Sequence, residues 1–496
     1  MDQPVRPTPS APLLDHAQIR TIMVGVVLAM LLGALDQTIV ATALPTIGRE
    51  LNDVQNLSWV VTAYLLTSTA ATPLYGKLSD VHGRRAMLLL AIAIFLGGSV
   101  ACAVSRNIFV LIGARALQGL GGGGLLSLGQ TIVGDVIAPR ERGRYQAYFA
   151  AIFVTSSIAG PALGGIFAEH LHWSFVFWIN LPLGAAAYLL TNRVLKLLPR
   201  YERPHRLDWL GAFLMSVATV LLLLALSWGG TTYPWNSLEI IGLLFASAIG
   251  WVLFGFRLAS APEPFIPLEL LANSVVRDGV IGCFFAVGVV VGLAVFLPLY
   301  FEAMLGFTAG QSGLALIVFM GATVAGAMTS GRVMMRVAHY KRSAVIGLAV
   351  SVPAMLVLAL RPALPFLATE VVLFVAGVGI GTIFPIATTA LQNAVPLHQL
   401  GTATAILNFF RSLGGAFLVT GFGAILLASA ASSVGHASVQ TVILEGTKAG
   451  IDFGPIFSGV FYAAAAANLL AFFAMLAMKE LPLRKTVTTE PVTAEP

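Results

Sequence analysis

Long apolar runs dominate this chain and restrict it to folds that lie within a lipid bilayer. A helix needs about 20 mostly apolar residues to cross the hydrocarbon core of a membrane. The sequence is 57% hydrophobic and only 10% charged, whereas soluble domains carry about 25% charged residues. So few charges could not cover a soluble fold of 496 residues. The chain is therefore predicted to be an all-α integral membrane protein.

The apolar runs, read between charged residues and proline or glycine breaks, predict fourteen transmembrane helices. The fourth is rich in glycine and the ninth begins with Arg277 and Asp278, so these two have the weakest signal. The polar tail 1–19 lacks the features of a signal peptide, so the first helix is expected to remain. The predicted spans cover residues 20–45, 57–76, 86–105, 107–134, 145–168, 174–196, 208–228, 238–257, 277–301, 310–332, 343–360, 366–390, 402–428 and 455–478.

Basic residues are divided unequally between the two sides of the predicted bundle. With an even number of spans both termini lie on one side, and most of the 28 Lys and Arg residues fall there. The other side has only Arg49, Arg106, Arg361 and Lys448. Because cytoplasmic loops are rich in Lys and Arg, both termini are predicted to be cytoplasmic. The net charge of +6 then reflects orientation, and no basic face points to nucleic acid.

Two parts of the chain resemble each other, which predicts a duplicated architecture. Residues 119–126 match residues 377–384 at a constant offset, and a proline loop and a glycine follow each stretch. The predicted organisation is a six-helix bundle over 20–198 and a second over 273–480. Two extra helices with their loops lie between them, over 199–272, and the tail 481–496 follows. Paired halves around a central site are typical of secondary transporters.

The loop between the second and third spans has a long motif that consists of Gly76, Asp80, Gly83, Arg84 and Arg85. Glycines permit a tight turn, and an aspartate can lie at a helix N-terminus or pair with an arginine. The motif resembles the signature loop of the major facilitator superfamily. That resemblance implies a latch that holds one conformation of a transporter, whereas the alternative is a merely charged loop.

Asp36 lies inside the first predicted span, where a carboxylate is costly and is a candidate functional residue. Desolvation favours its neutral form, so it could bind a proton. The surrounding residues 35–45 resemble the first-helix signature of the fourteen-helix drug/proton antiporter family, although Ala41 and Thr42 stand where that family has Asn-Val. The resemblance implies proton or substrate coupling at Asp36. A purely structural carboxylate is the alternative.

Arg115 in the fourth span begins a stretch that resembles the second motif of the same family, Arg-x-x-Gln-Gly. A buried guanidinium needs a partner, and Asp36 is the nearest sensible candidate. We therefore expect Arg115 to adjust the proton affinity of Asp36. A structural ion pair between helices is the alternative.

The fifth span contains Gly160, Pro161, Gly164 and Gly165, which resemble the antiporter motif Gly-Pro-x-x-Gly-Gly. Proline bends a helix and glycines let another helix approach closely. In the superfamily this motif accompanies exporters, so it favours export. An ordinary kinked packing helix is the alternative.

Other polar residues carry weaker predictions. Glu302, where the family usually has glutamine, could favour cationic substrates, or it could be a solvated outer-loop acid. Arg411 is a second candidate for a buried charge. The stretch 178–184 is interpreted as packing and interface anchoring, and Asp135 as part of a loop charge network with the nearby arginines Arg140, Arg142 and Arg144.

Together these patterns and the resemblance predict a proton-driven exporter, with small molecules and protons as partners in the lipid bilayer. The resemblance implies a bacterial cytoplasmic membrane. The predicted substrates are drugs or other small lipophilic or cationic molecules. A narrow exporter of one metabolite, antibiotic or siderophore is the alternative. No cofactor is expected, because the sequence has no phosphate loop, and no metal-ligand array indicates a metal. A membrane enzyme and a channel are less consistent with the motifs, and a periplasmic adaptor is neither indicated nor excluded.

Overall fold

The computed structural model describes residues 16–197, 207–434 and 453–484, and within them the chain is almost entirely helical. The predicted tails therefore lie largely outside the described residues. The helices are α1 His16–Glu50, α2 Leu57–His82, α3 Arg84–Ala103, α4 Ile108–Val136, α5 Arg142–His170, α6 Phe175–Trp178, α7 Asn180–Val194, α8 Trp209–Trp228, α9 Leu238–Ser260, α10 Leu268–Ala272, α11 Ser274–Leu305, α12 Ala309–Arg336, α13 Lys341–Leu360, α14 Phe366–Gly381, α15 Ile383–Ala394, α16 Leu400–Val434 and α17 Gly454–Ala477.

Twelve stretches of the described chain are long and apolar enough to cross a membrane, judged by length and composition. In that count α6 and α7 form one stretch, and so do α14 and α15. The all-helical, multi-span prediction is confirmed, whereas the number fourteen stays a prediction. The helices α2, with 26 residues, and α5, with 29, are long enough to cross a membrane but are not in that count. The helix α2 packs between α4 and α16.

Glycines on α4 bring the helices of the first bundle into close contact. Gly119 and Gly123 lie against the backbone of α2, and Gly121 lies against α3, so a side chain at any of them would overlap a neighbouring helix. The second bundle repeats the arrangement, since Gly381 of α14 lies against α12 and Gly379 lies against α13. The glycine repeat in the sequence therefore corresponds to a repeated mode of helix packing.

The helices α8 and α9 form a hairpin that contacts both bundles. Within the hairpin, the Ser247 hydroxyl donates to the Ala218 carbonyl over 2.8 Å. Leu223 of α8 shares an apolar cluster with Leu66 of α2 and Phe409 of α16. The pair left over by the repeat is thus packed at the junction between the two bundles.

Candidate functional site

Asp36 lies on α1, fully buried, at the centre of a polar cluster inside the first bundle. Its Oδ2 accepts a hydrogen bond from Nη1 of Arg115 over 2.6 Å, which makes an ion pair. Its Oδ1 accepts from the Gln118 amide over 2.9 Å and from the Asn180 amide over 3.0 Å. A buried ion pair is tolerated when further hydrogen bonds satisfy its polar atoms, and this carboxylate has donors on both oxygens.

The Arg115 guanidinium connects three further groups to this carboxylate. Its Nε donates to the Val60 carbonyl over 3.1 Å, and its Nη1 also reaches Oε1 of Gln118 over 2.5 Å. The guanidinium lies 4.3 Å from the centre of the Tyr64 ring, a cation–π contact. Since Val60 and Tyr64 belong to α2, the charge cluster connects α1, α2, α4 and α7.

Asn180 is a site residue that the sequence analysis missed. The stretch 178–184 was interpreted as packing and anchoring, and for Asn180 that interpretation is wrong because its amide binds Asp36. Ser99 of α3 completes the cluster, accepting from the Gln118 amide over 2.7 Å. The signal available in the sequence was an amide within an apolar run, since such a group needs a partner when it is buried.

Asp80, at the end of α2, binds the start of α16 in the other bundle. Its carboxylate accepts from the backbone N–H groups of Gly401, over 2.9 Å, and Thr402, over 2.7 Å, and from the Thr402 hydroxyl over 2.6 Å. These are free N–H groups of a helix N-terminus, which favour an anion. Arg84 pairs with the same carboxylate and donates to the Leu397 carbonyl over 3.2 Å.

The remaining residues of this loop have separate positions. Gly83 has a φ of +89°, a conformation that favours glycine at the turn between α2 and α3. Gly76 lies against Gly401 and Ala405 of α16, where a side chain would overlap. Arg85 turns away from the interface and donates to Asn192 of α7 over 2.5 Å.

Asp135 forms a different contact from the predicted loop network. Its carboxylate pairs with Arg84 over 2.7 Å. Arg142 is buried and donates to the carbonyls of Ile137 and Gly134, so its charge acts on Asp135 without an ion pair between the two side chains. Arg84, the first residue of α3, pairs with Asp135 because the fold brings it to the end of α4.

The glycines of α5 divide into two kinds. Gly160 faces Thr38 of α1, and Gly164 faces Thr42 and the Ile39 carbonyl, with no room for a side chain. At Gly165, by contrast, a Cβ atom would meet no neighbouring atom within 4 Å. Pro161 lies inside α5 between these contacts, so only part of the predicted motif forms the contact with α1.

Glu302 and Arg411 are not part of the Asp36 cluster. Glu302 is half-buried near the end of α11 in the second bundle. Arg411 of α16 donates to the Thr388 hydroxyl over 2.7 Å and the Phe384 carbonyl over 3.3 Å. Within the described part of the chain, Arg411 makes no ion pair with a carboxylate.

The contacts between the bundles include several at the end that carries most of the basic loops. Besides the Asp80 contacts, Gly143 of α5 lies against Gly331 of α12. The Arg140 N–H donates to the carbonyl of Arg484, which follows α17. Partial burial lowers the pKa of the Arg484 guanidinium, which donates to the Asn393 carbonyl over 2.8 Å. The contacts of Asp80, of Gly143 and of the Arg140 N–H join the two bundles at this end.

Comparison with known proteins places this architecture in a family. Residues 26–419 match the Major Facilitator Superfamily. Multidrug transporter protein MdtP of Bacillus subtilis (strain 168) is 35% identical over 411 residues, which cover 82% of this chain and 75% of that protein. Efflux pump dotC of Dothistroma septosporum (strain NZE10 / CBS 128990) is 35% identical over 412 residues, covering 81% of this chain and 70% of that protein.

Solved structures resemble the chain in fold. The human organic anion transporter MFSD10 (TETRAN) has a TM-score of 0.63 at 18% identity, covering 92% of this chain and 99% of that one. The proton:xylose symporter XylE has a TM-score of 0.62 at 15% identity, covering 93% of this chain and 96% of that one. At such low identity the likeness concerns the arrangement of helices alone.

Proposed function

The chain belongs to the Major Facilitator Superfamily, and on that premise we propose that it exports drugs or other small lipophilic or cationic molecules in exchange for protons. It is a multi-pass membrane protein. Relatives that align over most of the chain are a multidrug transporter and an efflux pump. The observation that carries the proton coupling is the buried carboxylate of Asp36, enclosed by donors inside an apolar span.

The proposed membrane arrangement has fourteen spans with both termini in the cytoplasm of a bacterial cell. The twelve apolar stretches would be joined by α2 and α5, which pack among them. The basic loops, including Arg84 and Arg85, would then face the cytoplasm. Two six-helix bundles would rock about a central path, with α8 and α9 between them.

Proton exchange at Asp36 would change the contacts of one helix in particular. When the carboxylate is ionised, Arg115 is held between Asp36 and the Val60 carbonyl of α2. A proton on Asp36 removes the charge that attracts the guanidinium. Arg115 would then be free to shift relative to α1 while it remains bound to α2.

The helix α2 extends from this cluster to the latch between the bundles. Val60 and Tyr64 contact Arg115 near one end of α2, and Asp80 binds α16 near the other. A movement of α2 that follows protonation would therefore reach the Asp80 contacts directly. This single helix provides a physical route by which proton binding opens or closes the path.

The test uses inside-out membrane vesicles with an acidic interior and a dye that reports the internal pH. A panel of lipophilic cations and neutral drugs is added to wild type, to Asp36→Asn, and to Glu50→Gln as the control. Glu50 is an exposed carboxylate on the same helix. We expect one or more compounds to collapse the gradient in wild type and in the control, but not in Asp36→Asn.

The alternative outcomes are informative. If Asp36→Asn responds like wild type, the proton site lies elsewhere. If only one compound of the panel collapses the gradient, the narrow exporter replaces the multidrug exporter. If no compound does so in any variant, the multidrug exporter is contradicted.

A further inference from the structure

We propose that Glu370 of α14 is a second proton-binding residue, so that the exporter exchanges more than one proton for each substrate molecule. Glu370 is an acid within an apolar span of the second bundle, and the sequence analysis gave it no role. The proposal rests on the proposed proton-coupled export and adds a site to it. An acid within a membrane span is a candidate functional group by default.

Glu370 is buried without any partner for its charge. Its side chain is 6% exposed, and neither of its carboxyl oxygens has a hydrogen-bond donor among the described residues. An ionised carboxylate in such a place would lose its hydration with nothing to replace it, which disfavours the charged form. The geometry therefore fits a carboxyl group that carries a proton.

The position of Glu370 on its helix directs it into the bundle. The outward face of α14 carries exposed apolar residues, Leu367, Val371 and Phe374. Glu370 lies about 60° around the helix from Leu367, on the side that carries the buried residues Leu373 and Gly377. Its carboxyl group therefore faces neighbouring helices and not the lipid.

A second unpartnered polar group lies at the same level on α12. Gly377 meets the Phe319 carbonyl and Gly381 meets the Thr323 carbonyl, so the two helices keep a constant register. The same register places Ser312 of α12 level with Glu370. Ser312 is fully buried, and its hydroxyl also has no partner among the described residues. The Glu370 carboxyl group and the Ser312 hydroxyl therefore both lack hydrogen-bond partners at similar positions along their helices. Water or another hydrogen-bonding group would complete such a polar site.

Among the described residues, no cation neutralises Glu370 from the helices packed around α14, which are α11, α12, α13 and α15. On α11 the titratable groups near this end are Tyr300, which donates to the Pro362 carbonyl, and Glu302. Next to the end of α13 is the exposed Arg361, whereas the other basic residues of α12 and α13 lie at the opposite ends of those helices. The helix α15 has no titratable residue.

Asp36 and Glu370 thus have opposite surroundings within one conformation. Asp36 has a guanidinium and two amides around it, which stabilise the ionised carboxylate, while Glu370 has neither in the described part of the chain. A transporter with one ionised and one protonated acid can exchange two protons over a cycle, provided that the conformational change brings a partner or water to Glu370. For a monovalent cation, such exchange moves net charge and responds to membrane voltage.

The experiment measures proton exchange in liposomes that contain the purified full-length protein and tetraphenylphosphonium as the lipophilic cation. An internal pH dye and a cation-selective electrode together give the number of protons exchanged per cation. We expect about two protons per cation in wild type and about one in Glu370→Gln. A membrane voltage should stimulate exchange by wild type but not by Glu370→Gln. Glu370→Asp keeps an acid and should keep the wild-type ratio, and Glu239→Gln, which removes an exposed acid on α9, serves as the control.

A second measurement does not depend on transport. Infrared spectra of the same proteoliposomes, recorded from about pH 5 to about pH 9, report protonated buried carboxyl groups. Wild type should show a carbonyl band that Glu370→Gln removes and Glu239→Gln retains. If wild type exchanges no protons but shows this band, the proposed function fails while Glu370 remains a proton-binding residue. An unchanged proton ratio in Glu370→Gln, or the absence of a band that this variant removes, overturns the proposal.

Discussion

At the scale of single residues, the protonation state of a buried acid depends on whether its neighbours donate hydrogen bonds to it. Asp36 has donors on both carboxylate oxygens, whereas Glu370 has none among the described residues. Arg411 has only neutral acceptors in the described part of the chain. The same cost of removing a charge from water is therefore met at Asp36 by hydrogen bonds and at Glu370 by a proton.

Replacing Arg115 with lysine tests whether its shape matters as well as its charge. The guanidinium reaches Asp36, Gln118 and the Val60 carbonyl from two different nitrogens, which a single ammonium cannot do. Each lost hydrogen bond to a charged group costs about 1.5–3 kcal/mol. We expect Arg115→Lys to reduce drug efflux at least about tenfold at equal expression, measured as dye extrusion from cells.

Arg106→Lys is the matched control, because Arg106 is exposed in the loop between α3 and α4. That variant should extrude dye at the wild-type rate. Equal efflux in both lysine variants would show that the fork geometry of Arg115 has no role.

At the scale of helices, close packing in this protein depends on which side of a helix a glycine occupies. Gly164 of α5 meets Thr42 and the Ile39 carbonyl of α1, while its neighbour Gly165 points into open space. Because successive residues on a helix lie about 100° apart, adjacent glycines face different surroundings. A motif of paired glycines can therefore contain one residue that forms the helix contact and one that does not.

Gly164→Ala should destabilise the contact between α1 and α5, because a methyl group there has no room. Overpacking of this kind costs about 1–3 kcal/mol. We expect a lower melting temperature of the purified protein and reduced export, since α1 carries Asp36. The measurement is thermal unfolding in detergent, together with efflux in cells.

Gly165→Ala provides the comparison on the same helix. Alanine is a better helix former than glycine by about 1 kcal/mol, so this variant should be as stable as wild type or slightly more stable. Equal destabilisation by both substitutions would contradict the contact between Gly164 and α1.

At the scale of the whole molecule, contacts at the basic-loop end hold the two bundles together. The Asp80 carboxylate accepts two backbone N–H groups and one hydroxyl from the start of α16, and Gly143 meets Gly331 across the same interface. Polar contacts of this kind can break and form again between water-exposed states, so they suit a surface that opens in each transport cycle.

Asp80→Asn should shift the protein towards a conformation in which this end is open. The substitution removes the charge that faces the α16 N-terminus, so neither N–H group has an anionic acceptor and at least one loses its acceptor altogether. Hydrogen bonds to charged groups contribute about 1.5–3 kcal/mol, so the closed-to-open ratio should fall about tenfold or more. Spin labels on Glu141→Cys and Val337→Cys, at the ends of α5 and α12, would report a longer distance.

Asp53→Asn removes an aspartate from the loop between α1 and α2, whose carboxylate accepts hydrogen bonds only from Asn56 among the described residues. It should leave the label distance unchanged. An unaltered distance distribution in Asp80→Asn would mean that the latch contributes nothing to the balance between conformations.

The sequence by itself determined that this protein lies in a lipid bilayer, that it is helical, and that Asp36 and Arg115 belong to its charge cluster. Apolar run length and low charge are enough for the helices, because lipid leaves the backbone no other way to satisfy its hydrogen bonds over a single span. Asp36 and Arg115 could be paired from the sequence, because each is a costly charge in an apolar run that needs a partner.

Only the tertiary structure decided which neutral groups complete that cluster and which buried ionisable groups have no partner of opposite charge among the described residues. Asn180 joins Asp36 from 144 positions away, and Asp135 forms its ion pair with Arg84, which lies 51 positions away. Glu370 has no feature in the sequence that distinguishes it from a paired acid. Hydrogen bonds act over about 3 Å, so the partner of a buried polar group is set by how the helices pack, which local sequence does not encode.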